Sequence, residues 1–455
     1  MRVIVQMRPE PDLVQAIVDP SVSTPSASDV AGSLPGLALD PDFVPVPVPQ
    51  PKPAYSDGDP LSLDQPLTFS LAPEDASVLV RGEIQDRDGA ARLAMLGAKR
   101  PDIVGISADP AVETMPTCGN TPPVGDWHDV QRFVTDALKS EGLDGTGVPL
   151  AIVDTGINVA HLGTVLGSPV TVDAARSWKP PGVAGNFGQF PVNHGTMCAF
   201  DSLIVARKVS LLDIPVLLSQ RQGATVMEGL LSDAISAYAH LWGLLEQMPR
   251  ERRRMVISNS WGSFKPTWDF PPGHPGNYSD NRAHPFNLIV AALEVSGADI
   301  LFAAGNCGVE CPDGRCGFPS RPINGANSHP SVLSVAGVDT HDARVGYSSQ
   351  GPGRLAVRKP DIATYTHFSG SKAFGQNSPD SGTSAACPVA AGVVAAIRSK
   401  VSVKELSPSR MRTLIRRSAH DVGGHGYDFD YGYGIINTPA IVDAVRRLGK
   451  TTARL

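Results

Sequence analysis

From about residue 125 onward, short apolar runs alternate with amphipathic helical stretches, and this alternation most narrows the folds open to the chain. A helix is expected over 126–140 and an apolar strand over 150–153. Further strands are expected over 211–218, 255–258, 300–304 and 332–338, with helices over 226–247, 285–296 and 384–400. Short apolar strands set between such helices predict an α/β domain with a mostly parallel sheet covered on both faces. Binding sites on such sheets lie at the carboxyl ends of the strands. Several chemically suggestive motifs fall at those ends.

Three of them matter most. Ile152-Val153-Asp154-Thr155-Gly156 ends an apolar strand with an acid and a glycine that lets the chain turn. Alone, Asp154 reads as a residue capping a turn. His194-Gly195-Thr196-Met197-Cys198-Ala199 puts a histidine at the start of a helix of small residues. Alone, His194 reads as one surface or core histidine among 11. Ser381-Gly382-Thr383-Ser384-Ala385-Ala386-Cys387-Pro388 places a serine where a helix opens after a tight turn. Alone, Ser384 reads as an ordinary helix cap. A helix start also supplies unpaired N–H groups and a positive dipole end, which would steady an oxyanion formed beside Ser384.

In the order Asp, His, Ser, the three motifs resemble the signatures of the subtilase family of serine proteases. His161, seven residues after Asp154, fits the same pattern. So do Asn259-Ser260-Trp261-Gly262, Ala303-Ala304-Gly305-Asn306, Tyr347–Pro352, Lys359-Pro360-Asp361-Ile362 and Tyr433–Asn437, and the resemblance spans residues 125–447. It implies a subtilisin-like three-layer fold and a serine endopeptidase. Ser384 would be the nucleophile, His194 the general base and acid, and Asp154 the residue orienting His194. Asn306 would hold the oxyanion. Ser260, Trp261, Gly262, Ala304 and Gly305 would bind an extended peptide substrate. The family also allows calcium, but no Asp-rich loop here demands it. Asp269, Asn277 and Asp280 read as solvated loop residues, no metal ligands are assigned, and no cofactor is required.

The N-terminal region is organised differently. A strand around Val3–Met7, a helix over 11–18, a strand over 77–84, a helix over 87–98 and a strand over 103–107 predict a small α+β domain made of residues 1–19 and 75–112. It resembles the family's inhibitory propeptide, which implies a zymogen whose exit segment, 111–125, lies in the substrate cleft. Residues 20–74 are rich in Pro, Ser, Asp and Gly, and Pro45, Pro47, Pro49, Pro51 and Pro53 alternate with other residues. They are expected to form a largely coreless linker. Residues 448–455 read as a tail.

Composition closes off other classes. The net charge of −6 argues against nucleic acid as the main partner. Apolar runs are too short or too interrupted for a membrane span. No secretory signal is evident behind Arg2, so a cytoplasmic location is expected, with most of the six cysteines reduced. For Cys307, Cys311 and Cys316, free thiols come first, with a loop disulfide or a metal as alternatives. Cys198 and Cys387 read as small buried residues, with redox control as the sharper reading. A transferase on the same fold and an inactive peptide-binding protein stay open as competing functions. A lipase with its serine in Gly-x-Ser-x-Gly is disfavoured by Gly382-Thr383-Ser384-Ala385-Ala386.

Overall fold

The computed structural model describes residues 1–452 except 20–22, 54–66, 71, 73–74, 85–96, 98–99, 116, 119–121, 220–226 and 313. The N-terminal unit contains β1 (Arg2–Met7), α1 (Pro11–Val18), α2 (Ala27–Ala31), β2 (Leu37–Leu39), β3 (Val46–Val48), β4 (Gln50–Pro53), β5 (Leu67–Ser70), β6 (Ser77–Ile84) and β7 (Ile103–Ala108). Antiparallel strands β2, β6, β1 and β7 form its sheet in that order, and β3 also pairs with β6. Alternating valines explain the layering. Val3, Val5, Val78 and Val80 are buried with Val14, Val30 and Leu34 from the helical side.

The expected linker is therefore corrected over its described part. Val46 and Val48 are buried and Pro47 sits opposite Val78. Proline lacks the N–H a central strand needs, so a Pro-alternating segment is tolerated as short edge pairing rather than excluded from the sheet. The helix expected over 87–98 falls almost wholly outside the described residues.

A connecting strand, β8 (Ala111–Glu113), leads towards β9 (Gly125–Asp126) and the larger unit. There follow α3 (Trp127–Ser140), β10 (Pro149–Val153), α4 (Val159–Leu166), α5 (His194–Val205), β11 (Ser210–Ile214), β12 (Glu228–Leu230), α6 (Leu231–Glu246), β13 (Met255–Asn259), α7 (Pro285–Ser296), β14 (Ala298–Ala303), β15 (Leu333–Val338), β16 (Ile362–Tyr365), β17 (Phe368–Ser369), α8 (Thr383–Arg398), α9 (Pro408–Ser418) and α10 (Thr438–Thr452). Six strands form one parallel sheet in the order β11-β10-β13-β14-β15-β16. Helices α3, α5, α8 and α9 cover one face, and α6 and α7 cover the other, giving three layers. Two expected elements are shorter than read. The strand over 211–218 stops at Ile214 because Pro215 follows, and the helix over 226–247 begins only at Leu231, after β12.

Helix α8 is buried along its whole length. Its Ala, Gly and Val residues let it pack closely on α5: a Cβ on Gly392 would lie 2.5 Å from the Ser202 carbonyl oxygen. This close pairing of helices brings the start of α5, His194, beside the start of α8, Ser384.

Candidate active site

Asp154 follows the last residue of β10, with its N–H bonded to the Ile214 carbonyl and its carbonyl to the Leu217 N–H. The carboxylate faces His194, whose Nδ1 lies 2.8 Å from Oδ1 and 2.9 Å from Oδ2. The Thr155 hydroxyl accepts from the Gly195 N–H at 2.8 Å and locks the start of α5 to the turn after β10. Ser384 stands in the first turn of α8, is buried, and donates from Oγ to the Ser260 carbonyl at 3.4 Å. The Ser260 hydroxyl in turn donates to the Ser384 carbonyl at 3.0 Å. His194 and Ser384 both line a cavity of about 350 Å³, together with Met115, Arg315 and Phe374.

Asn306 lies just beyond β14, and its orientation is set. Its Oδ1 accepts from the Thr383 N–H at 2.9 Å and from the Thr383 hydroxyl at 3.1 Å, which turns Nδ2 into the cleft. Gly382, at φ 78°, leaves room for this: a Cβ there would sit 2.8 Å from Nδ2. Ala304 and Gly305 carry the chain from β14 to Asn306, with the Gly305 N–H bonded to the Thr383 hydroxyl at 2.9 Å.

The cleft is occupied by the chain's own connecting segment. Strand β8 pairs antiparallel with β12 on one side. On the other, Glu113 and Gly262 exchange backbone hydrogen bonds of 3.0 and 3.1 Å. The segment runs on to Met115, whose carbonyl oxygen accepts from Asn306 Nδ2 at 2.7 Å. The Met115 side chain is buried, with Sδ 3.4 Å from Cys307 Sγ and 3.5 Å from Cys316 Sγ. Glu113, Met115 and Arg315 carried no sequence signal of their own; only the general position of the exit segment was readable.

Several expectations are corrected here. The Trp261 side chain, expected to bind substrate, is buried instead. Side chains alternate along an extended segment, so Ser260 faces α8 while the Trp261 ring turns to the other side and packs on Phe286 and Phe302. Cys307 pairs with Cys316 and Cys118 with Cys311, at Cα separations of 5.7 and 5.8 Å, so four cysteines are disulfide-bonded rather than reduced. As expected, Cys198 and Cys387 are free and buried; burial raises both thiols, Cys387 to about 12. Asp269 is not solvated: it is buried and accepts from the Phe270, Tyr278 and Ser279 N–H groups and the Ser279 hydroxyl. The His161 ring bonds the Ser371 carbonyl at 2.7 Å.

The subtilase family model matches residues 145–434, more than half of the chain. The protein belongs to the subtilase family. This subtilase is similar to subtilisin DY of Bacillus licheniformis, with 27% identity over 311 residues, 67% of this chain and 94% of that one. It is 28% identical over 345 residues to a calcium-dependent protease of Nostoc sp., covering 66% of this chain and 46% of that one. Fervidolysin of Fervidobacterium pennivorans is 25% identical over 337 residues, 68% of this chain and 42% of that one. By this membership the subtilase is a serine endopeptidase with the family's three-layer fold.

Proposed function

We propose that Asp154, His194 and Ser384 carry out peptide hydrolysis and that residues 111–115 hold the enzyme inactive by occupying its substrate cleft. The observation that carries this reading is the Met115 carbonyl on Asn306 Nδ2, at 2.7 Å, at the end of a strand paired with Gly262. A peptide bound this way presents a carbonyl to the nucleophile and its oxygen to the oxyanion donor.

For catalysis the Ser384 hydroxyl turns from the Ser260 carbonyl towards His194. Its oxygen attacks the substrate carbonyl carbon while His194 Nε2 takes the proton. Asp154, on Nδ1, fixes the tautomer and steadies the imidazolium. Asn306 and the N–H groups at the start of α8 hold the oxyanion. His194 then passes the proton to the leaving amine, and a water repeats the sequence on the acyl-enzyme.

Docking of the N-terminal unit supports the inhibitory part. Asp109 accepts from the Ser232 N–H and hydroxyl, each at 2.8 Å, at the start of α6. Arg81 bonds Ser232 at 3.0 Å and Asp233 at 2.9 Å. The unit is thus anchored beside the strand it delivers.

Two relatives are named calcium-dependent proteases, so calcium enters as an ion this chain could bind. The loop with Asp269, Asn277 and Asp280 does not fit it. Protein N–H groups occupy the Asp269 carboxylate, and Asp280 faces Arg354 at 2.9 Å. The disulfides favour an oxidising compartment over the cytoplasmic one expected from sequence.

A fluorophosphonate serine probe on the full-length chain, with Ser384→Ala as control, tests the reading. Slow labelling confined to Ser384, accelerated when the 111–115 strand is weakened, is expected. Rapid labelling of the intact chain would remove the inhibitory part, and no labelling of any strand-weakened form would remove the catalytic part.

A further inference from the structure

Resting on that reading of the cleft, we propose that Arg315 makes this enzyme select substrates with an acidic side chain two residues before the carbonyl that is attacked, the position Glu113 occupies. Arg315 Nη1 lies 2.9 Å from Glu113 Oε2, and the Glu113 side chain is only 4% exposed. Backbone pairing with Gly262 would hold any extended peptide in this register, so the pairing alone selects nothing. The selective contact is the side-chain ion pair, a charge-assisted hydrogen bond between a buried carboxylate and a partly exposed arginine. Lys265 adds positive charge near the same carboxylate, while Glu228 opposes it; burial raises the Glu113 carboxyl and the two cations draw it back.

The position of Arg315 is built in. Cys307 follows Asn306, Cys316 follows Arg315, and the Cys307–Cys316 disulfide closes the loop between them. The residue that reads the acid is thereby fixed relative to the residue that binds the oxyanion. Glu113 and Met115 lie on one face of the strand, because side chains alternate, and the same disulfide touches the Met115 sulfur. One short loop therefore contacts both side chains. Arg315 belongs to the catalytic unit, not to the strand, so it remains in the cleft when the strand leaves.

Charge reversal in the full-length chain tests this. Glu113→Arg and Arg315→Glu each set like charges together and unseat the strand; the double variant restores an ion pair and reseats it. Peptides of the form Ala-Val-X-Thr-Met followed by a fluorogenic amide are compared with X as Glu, Gln or Lys. The Glu113→Arg chain is expected to cleave the Glu peptide with kcat/KM on the order of tenfold or more above the Gln peptide, and Lys lowest. The Arg315→Glu chain is expected to favour Lys, and the double variant to cleave all three slowly. Fluorophosphonate labelling at Ser384 with equal cleavage of the three peptides would overturn the selectivity and leave the peptidase reading standing. Absence of labelling in both single variants would overturn the peptidase reading and the selectivity with it.

Discussion

Asn306 donates from Nδ2 to the Met115 carbonyl oxygen at 2.7 Å while Thr383 holds its Oδ1 from behind. The amide is therefore oriented before any substrate arrives, and preorganised donors stabilise developing charge without reorganising. In the strand-released Glu113→Arg chain, Asn306→Ala is expected to lower kcat by about 10²–10³ and to leave KM nearly unchanged. Steady-state kinetics on the Glu peptide reads this out. A rise in KM with kcat intact would make Asn306 a ground-state binding residue instead.

The residue after Met115 is Pro116. The bond that would be cleaved is thus a tertiary amide whose leaving nitrogen is held in a ring, has no N–H, and crowds the carbonyl it leaves. On the proposed reading, this would let the strand keep its carbonyl on Asn306 without being cut. Pro116→Ala is expected to yield a chain cut after Met115, visible by intact mass. The Pro116→Ala, Ser384→Ala double variant should stay whole. If Pro116→Ala also stays whole in an enzyme that labels at Ser384, proline is not what protects the strand.

Beyond Met115 the chain is tied down again, because Cys118 is bonded to Cys311 in the loop that follows Asn306. A covalent tether raises the effective concentration of a bound segment without adding any contact. Cys118→Ser is expected to speed fluorophosphonate labelling of Ser384 several-fold in the full-length chain. Because that variant leaves Cys307 and Cys316 untouched, the rate separates the tether from the disulfide beneath Met115. Unchanged labelling would mean that β12 and Gly262 hold the strand alone.

The catalytic candidates were legible because each ends an element whose pattern is strong. Asp154 closes a run of apolar residues, and His194 and Ser384 open helices made of small ones. What sequence could not supply was register. That the exit segment would reach the cleft was readable, but that Met115 rather than a neighbour meets Asn306 depends on strand pairing, which no local pattern records. Trp261 is a related case: its motif predicts the backbone path, while side-chain alternation puts the ring in the core. Pro45, Pro47 and Pro49 suggested a linker because propensity counts residues and ignores edge position, where Val46 and Val48 still find a sheet. The pairing of Cys118 with Cys311 joins residues 193 apart in sequence, beyond any spacing rule.

Asp213 sits in β11, opposite Ile152 of the strand that Asp154 follows, and accepts from the Gly188 N–H at 2.8 Å. Burial raises its carboxyl from the ordinary value to about 7, against the pull of backbone hydrogen bonds. The fold therefore prefers the protonated form, whereas the unfolded chain ionises near pH 4. Between those values the native state binds more protons than the unfolded state, so this group's contribution is full below about pH 4 and is lost as pH rises through 7. Asp213→Asn keeps an oxygen for Gly188 and removes the titration. In a Ser384→Ala background, which prevents autolysis, the melting temperature of Asp213→Asn minus that of its parent is expected to climb steadily from pH 4 to pH 7.5 and then level off. A difference that stays constant over that range would show that Asp213 is ionised in the fold throughout, and that the Gly188 N–H suffices to hold its charge.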